Sequence, residues 1–488
     1  MSTPATAPHG SVALPPRAGG AELLDRLRPL GLRLRTLAPR ELSARWGYVG
    51  LGLMVAGAIG VVAFSTAGGS MLVPRSNAAF PAWEAGPLRL VFGHPSLPLT
   101  SLMYAYSGLL VLMLCAYGLA VLAARSLSLR LIAGVAIALN LILLLGPPLQ
   151  LTDLFNYLGY ARLGALHGMN PYTHVINAES FDPVFRFTSW HNLPSPYGPL
   201  FTALTYPLAF VPLPVAYWIL KVVMVGASLG FLWCLYRCAC LLDLDPRPVL
   251  MLVVANPIYL FFAVGAFHND LLMLMPVTGA IALLLARRDR MAGAVLVLAV
   301  AIKFSAVLLL PFLLMAARPP ERRLRVLSGV VLMAIPMIAL SLGLFGFTIP
   351  NLSEQSSVVT GYSIPNLLGV LVGLGGRTPG LMRVIDVAVV LIVLWQLRRR
   401  DWLAGAGWAT IALIAGTSWL MPWYILWALP LAALARSQWL RRVAVLFSVF
   451  LVLSFAPEWS VLLNSWGISP MSSPVGQAAL AYQHKLSG

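Results

Sequence analysis

Three short polar clusters interrupt an otherwise apolar chain, and each carries residue types able to do chemistry. The first is Thr152-Asp153-Leu154-Phe155-Asn156-Tyr157-Leu158-Gly159-Tyr160-Ala161-Arg162. It follows Gly146-Pro147-Pro148, which ends any preceding helix, while Thr152 is placed to cap a new helix and Gly168 to end it. Residues three and four apart share a helix face, so Asp153, Asn156, Tyr157 and Tyr160 are expected on one side. A helix N-terminus stabilises a carboxylate as the anion. Asp153 therefore reads as a general base or a metal ligand, the plainer alternative being an aspartate that only starts a helix. The second cluster is Gly265-Ala266-Phe267-His268-Asn269-Asp270, between two apolar runs. Consecutive polar groups at a membrane-embedded turn are costly unless paired or wetted. They suit the binding of substrate hydroxyls, or a metal contact through His268 and Asp270; an ordinary turn built on Asn and Asp is the alternative. The third is Lys303, alone in Leu298-Ala299-Val300-Ala301-Ile302-Lys303-Phe304-Ser305-Ala306. An isolated cation there reads as a partner for a phosphate, or as a lysine that snorkels to the headgroups.

Other signals are weaker. Ser195-Pro196-Tyr197-Gly198-Pro199 is a rigid turn, and Trp419-Leu420-Met421-Pro422-Trp423-Tyr424 is an aromatic belt or a lid over a lipid or sugar. Glu354, Tyr362 and Asn366 flank an outer loop and carry no signal alone. There is no Gly-rich phosphate loop, no HExxH and no CxxC, so ATP-driven and zinc-hydrolase chemistry find no support. Cys115, Cys234, Cys238 and Cys240 all lie in apolar runs, which indicates neither a disulfide framework nor a zinc site.

The elements that must position these clusters are membrane helices. Of the 488 residues, 59% are hydrophobic and 10% are charged, against about a quarter charged in soluble domains. That excludes a soluble enzyme, a disordered chain and a nucleic-acid-binding module. The net charge of +17 comes mostly from arginines clustered between apolar runs, where they report topology. Spans are expected near 47–66, 101–123, 131–149, 214–237, 249–266, 271–286, 291–302, 304–317, 327–347, 382–397, 403–419, 421–436 and 441–457. The run 199–212, bounded by Pro199 and Pro212, reads as a re-entrant or interfacial helix, and 291–302 with 304–317 as a hairpin turning inside the membrane. Residues 1–46 are expected to be a cytoplasmic disordered lead and a basic juxtamembrane segment. Residues 47–457 form the transmembrane domain, and 458–488 an outer-face tail.

With the N-terminus inside, the short Arg-rich turns fall in the cytoplasm and the long segments 67–100, 150–198, 348–381 and 458–488 fall outside. The protein is thus expected in the cytoplasmic (inner) membrane as a multi-pass protein with its site on the outer face. Segment 150–198 is the richest in polar residues, including Arg162, Asn170, Tyr172, His191 and Tyr197. A loop of that length is commonly functional.

Taken in order, these stretches resemble the bacterial polyprenyl-phosphate-mannose-dependent mannosyltransferases, integral membrane glycosyltransferases of the GT-C class. The resemblance rests on Thr152-Asp153-Leu154-Phe155-Asn156-Tyr157 through Asn170-Pro171-Tyr172, Ser195-Pro196-Tyr197-Gly198-Pro199-Leu200, Phe267-His268-Asn269-Asp270, Lys303 followed by Pro311, Ser363-Ile364-Pro365-Asn366-Leu367-Leu368, and Pro422-Trp423-Tyr424-Ile425-Leu426-Trp427. It covers roughly residues 100 to 436. It implies a GT-C fold with an outward-facing cavity between the helices; with the apolar runs above, the expectation is an all-α polytopic membrane protein of about 13 transmembrane helices with short outer-face helices. It also implies an outer-loop aspartate as catalytic base, here Asp153. Some GT-C enzymes pair two acids for a divalent metal; here Asn156 or Tyr157 stands where the second acid would be, so no cofactor is expected and a metal is unsupported.

The implied partners are a polyprenyl-phosphate sugar, with mannose following from the resemblance alone, a glycan or glycolipid acceptor, and the bilayer. Asp153 would take the acceptor proton. Lys303, with Arg162, would stabilise the departing phosphate. His268, Asn269, Asp270, Asn170 and Tyr172 would hold hydroxyls, and Trp423 and Tyr424 would pack on the sugar or the first isoprene units. One base and one displacement predict inversion. A flippase or transporter of lipid-linked sugars is the competing expectation; against it stand the lack of internal repeats and the position of the polar residues outside.

Overall fold

Proline and glycine punctuate the apolar runs of the computed structural model, and between them the chain is helical. Residues 41–74, 80–95, 97–351, 358–372, 401–472 and 474–487 are described, with 384, 387, 388 and 391. Most of the expected N-terminal lead and basic segment, most of the span 382–397, and Glu354 lie outside the described residues.

The helices relevant here, in chain order, are α1 (Ala44–Ser65), α2 (Leu99–Leu122), α3 (Leu129–Leu145), α4 (Asp153–Ala165), α5 (Pro199–Thr205), α6 (Leu213–Leu241), α7 (Pro246–Val254), α8 (Asp270–Leu285), α9 (Asp289–Ile302), α10 (Leu310–Ala316), α11 (Pro320–Phe345), α12 (Ile364–Val372), α13 (Trp402–Gly416), α14 (Leu429–Leu434), α15 (Gln438–Ser454), α16 (Pro457–Ser465) and α17 (Pro474–Ser487). Among the described residues there is no β-strand. Four of these, α1, α2, α6 and α11, are long and apolar enough to cross a membrane; two bent pairs raise that to six, and the remaining apolar helices are shorter. The chain is a multi-pass membrane protein. Apart from 382–397, the expected runs fall in helical segments, but several are broken. The run 249–266 is α7 followed by a π-helical stretch, Ile258–Val264, bent by 56°. Lys303 is extended (φ −151°, ψ 122°) and interrupts the helix between α9 and the 3-10 turn Phe304–Leu309.

These breaks position the site. After α3 ends at Gly146, the backbone N–H of Leu149 donates to the Gly265 carbonyl at 2.9 Å. That bond ties the start of the outer loop to the turn at 265–270. Lys221, buried in the N-terminal third of α6, reinforces the junction: its Nζ donates to the Gly146 carbonyl at 2.5 Å and lies 4.8 Å from the Phe267 ring centroid. Gly198 makes the second junction. Its N–H donates to the Ile302 carbonyl at 3.1 Å, and a Cβ there would stand 2.2 Å from the Ala301 carbonyl oxygen. Only a glycine lets the 195–199 turn lie so close to the end of α9. Arg322 of α11 and Asp289 of α9 form a buried ion pair at 2.6 Å, at the other end of α9 from Lys303.

Candidate functional site

Asp153 opens α4, in its first turn as expected. Thr152 precedes the helix, but its hydroxyl contacts the Ser189 hydroxyl rather than capping the helix. The helix ends at Ala165, and Gly168 takes φ +65° three residues on.

The Asp153 carboxylate faces a partly open cavity. Its lining brings together Asp153, Asn156, Tyr157, Tyr197, His268, Asn269, Asp270, Lys303, Trp423 and Tyr424. These come from α4, the 195–199 turn, the turn before α8, the break after α9, and the aromatic segment 422–427. Within the cavity, the Tyr197 hydroxyl donates to Asp153 Oδ1 at 3.0 Å, and His268 Nδ1 stands 4.0 Å from Asp153 Oδ2. Burial pushes the Asp153 carboxyl up to about 6; the Tyr197 hydroxyl and the Lys303 charge oppose that rise, and the Asp270 charge adds to it. A carboxyl so tuned is largely ionised at neutral pH yet basic enough to accept a proton.

Lys303 is not alone. Its Nζ donates to both Asp270 oxygens, at 2.9 and 2.8 Å, and lies over the rings of Tyr424 and Trp427 at 5.4 and 5.2 Å. Trp427 Nε1 also donates to Asp270 Oδ1, at 2.6 Å. An ammonium has three N–H donors, so Lys303 can hold Asp270 and still present a donor to an anion. The His268 ring stacks on Trp423 at 3.7 Å.

Three buried nitrogens at this cavity have no protein partner among the described residues: Asn156 Nδ2, Asn269 Nδ2 and His268 Nε2. Buried polar groups are rarely left so. Asn156 Oδ1 accepts from the Ser189 N–H at 3.2 Å, which anchors that side chain with its amide nitrogen open, and the backbone N–H of Asn269 donates to the Tyr157 hydroxyl at 3.1 Å, which holds the turn that carries the Asn269 side chain. This is an arrangement for a ligand rich in hydroxyl or phosphoryl oxygens.

Arg162, Asn170, Tyr172 and His191 do not line the cavity. Arg162 Nε is paired with Asp182 at 2.8 Å, and His167 reaches the same carboxylate at 2.9 Å. Burial alone would raise the Asp182 carboxyl, but these two partners hold it below its ordinary value. Asn170 donates to the Phe345 carbonyl and the Thr348 hydroxyl, at 2.8 and 2.7 Å. The Tyr172 hydroxyl donates to Thr202 at 3.2 Å. His191 stacks on Phe185 at 4.0 Å. Each holds the outer loop in shape. Conversely, Tyr160, Trp190, Leu193, Val358 and Trp419 line the cavity without having been singled out as site residues, and Trp427 adjoins it through Asp270. Trp427 lies three and four residues after Tyr424 and Trp423, a helical spacing that could have found it. Lys221 could have been found as a lone cation in an apolar run. Among the described residues no group of three or more His, Cys, Asp or Glu is placed to hold a metal ion.

A second, mostly apolar pocket is lined by Met273, Leu274, Val277, Ser305, Leu309, Thr410, Leu413, Trp427 and others. Trp427 is therefore common to its wall and to the hydrogen bonds around Asp270.

Residues 46–319 match the family model described as alpha-(1->6)-mannopyranosyltransferase, N-terminal domain, and residues 359–482 match the MptB C-terminal domain. The alpha-(1->6)-mannopyranosyltransferase A of Mycobacterium tuberculosis is 27% identical over 365 residues, 66% of this chain and 69% of that protein. The protein of the same name from Corynebacterium glutamicum is 25% identical over 366 residues, 64% of this chain and 73% of that one. No solved structure matches significantly.

Proposed function

The chain belongs to the alpha-(1->6)-mannopyranosyltransferase family, and from that premise we propose that it moves mannose from a polyprenyl-phosphate donor to a hydroxyl of a glycan or glycolipid acceptor, at the outer face of the cytoplasmic membrane. Family membership makes it a mannosyltransferase and favours transfer over the transport alternative. The observation that carries the finer reading is a single cavity lined by a carboxylate, a cation and three unpartnered buried nitrogens.

In this reading the lipid phosphate meets Lys303, and its isoprenoid tail leaves along the apolar cavity beyond Trp427. Asn156, Asn269 and His268 bind sugar hydroxyls. The acceptor oxygen attacks the anomeric carbon while its proton passes to Asp153. The bond from that carbon to the phosphate oxygen breaks, and the electron pair leaves with the polyprenyl phosphate, whose charge Lys303 stabilises. One displacement inverts the anomeric centre, so a β-linked donor gives an α-linked product, and the proposed linkage is the alpha-(1->6) of the relatives' names. No step requires a metal.

The test is a reconstituted assay. Purified protein in nanodiscs is given polyprenyl-phosphate [14C]mannose or a nucleotide-linked mannose, with a mannoside acceptor. The reading expects label in an α-linked product from the lipid donor alone. Transfer from the nucleotide sugar, or retention of configuration, contradicts it.

A further inference from the structure

The C-terminal helix α17 takes no part in the chemistry above, yet it stands directly behind one wall of the cavity. The Asn192 N–H donates to the Leu486 carbonyl at 2.9 Å, and Asn192 Nδ2 donates to the Lys485 carbonyl at 3.0 Å. Carbonyls in the last turn of a helix have no partner inside the helix, so the loop captures groups that α17 leaves open. Leu486 is 4% exposed and packs with Leu193 and Val358, against Trp190 and Trp419. All four of those side chains line the cavity.

They come from three separate chain segments. The strap holding Val358 is itself tied down: the Thr360 N–H donates to the Ser418 carbonyl at 2.9 Å, and the Leu420 N–H donates to the Thr360 hydroxyl at 3.0 Å. Leu486 is the common backing of the three. Trp190 and Trp419 meet edge to face at 5.5 Å, and aromatic surfaces of this kind pack on the apolar faces of sugars. Lys303 and the apolar cavity serve the donor, which leaves this aromatic wall for the acceptor.

Resting on the transfer reading above, we infer that α17 is a positioning element for the acceptor. Its docking on Asn192, with Leu486 behind Trp190, Leu193, Val358 and Trp419, holds the acceptor wall closed and decides whether an acceptor alcohol or water meets the bound donor. In the side reaction that it suppresses, a water oxygen attacks the anomeric carbon and its proton passes to Asp153. The phosphate leaves with the bonding electrons, giving free mannose and polyprenyl phosphate.

The experiment compares full-length wild type with Leu486→Ala, Leu486→Met and Asn192→Ala, using polyprenyl-phosphate mannose and a mannoside acceptor. It measures acceptor KM, donor KM, kcat and the fraction of mannose released free. Leu486→Ala is expected to raise acceptor KM by about tenfold and the free-mannose fraction severalfold, with donor KM unchanged. Leu486→Met is expected to restore both, and Asn192→Ala, which leaves the apolar contacts in place, to shift both in the same direction by less. Wild-type acceptor KM and free-mannose fraction in Leu486→Ala overturn the inference alone. If Leu486→Ala does not fold, the same null result in Asn192→Ala overturns it. A wild type that transfers nothing from this donor overturns the function, and the inference with it.

Discussion

At the scale of single residues, two side chains divide the chemistry. Asp153 has a carboxyl raised to about 6 by burial, so the acid limb of the kcat/KM profile should fall at about pH 6 rather than near 4. The sign follows from the base having to be ionised: activity is lost as pH falls through that value. The same shift means that the folded state binds this proton more tightly than the unfolded one, so this group's contribution to stability declines as pH rises from about 4 to 6. Lys303 and Asp270 share a pair in which Asp270 is fully buried. Lys303→Met should weaken polyprenyl-phosphate binding by about tenfold or more, since a hydrogen bond to a charged group is lost. It also leaves a buried carboxylate short of its cation, a destabilisation of about 3 kcal/mol by analogy with broken buried pairs. Lys303→Met with Asp270→Asn should recover the melting temperature but not the affinity; unchanged lipid-phosphate binding in that double variant would remove Lys303 from the donor site. Asp153, His268 and Lys303 were legible in the sequence because each is a polar group that an apolar chain has no structural need to carry. The pairing of Lys303 with Asp270 and Trp427 was not, since 33 and 124 residues separate Lys303 from them and nothing local records such contacts. Nor was the withdrawal of Arg162 to Asp182, because an arginine in a loop looks the same whether it faces a substrate or a carboxylate of its own chain.

At the scale of elements, the site exists because helices stop. The break at Lys303, the 265–270 turn and the start of α4 meet through the Gly198–Ile302 and Leu149–Gly265 hydrogen bonds. Gly198→Ala places a Cβ against backbone atoms of Ala301 and Ile302 that cannot move aside independently. It should displace Tyr197 from Asp153, with a stability cost of about 1–3 kcal/mol and a drop in kcat of at least about tenfold. Gly134→Ala in α3, where a Cβ meets nothing within 4 Å, is the control and should be neutral or stabilising by up to about 1 kcal/mol. Equal loss of activity in both variants would contradict the role given to the close approach. Helix positions were largely readable from apolar runs and their proline boundaries. Breaks such as the π-helical stretch 258–264 were not, since composition there is uniformly apolar and only tertiary packing sets the hydrogen-bond register.

At the scale of the whole molecule, the account depends on which side of the membrane the cavity opens. The arginine asymmetry argues for the outer side. In a background with the four native cysteines replaced by alanine, Phe181→Cys, at a position 99% exposed in the loop after α4, should react with a membrane-impermeant maleimide in intact cells. Arg288→Cys, exposed in the turn between α8 and α9, should react only after permeabilisation. The reverse pattern would put the cavity in the cytoplasm and exclude a donor chosen for the outer face. The membrane class was plain from composition. The way the segment after 457 folds back onto residues 190–193 was not, because Leu486 and Asn192 lie almost 300 positions apart and their contact leaves no periodic trace in the sequence.

The most direct test of the central claim separates donor capture from proton transfer. Purified Asp153→Asn protein, compared with wild type at pH 7, is assayed for polyprenyl-phosphate mannose binding and for single-turnover mannosyl transfer. The account predicts binding within about threefold of wild type and transfer reduced by at least about a hundredfold, with a melting temperature no lower than that of wild type. Transfer near the wild-type rate in that variant would contradict it.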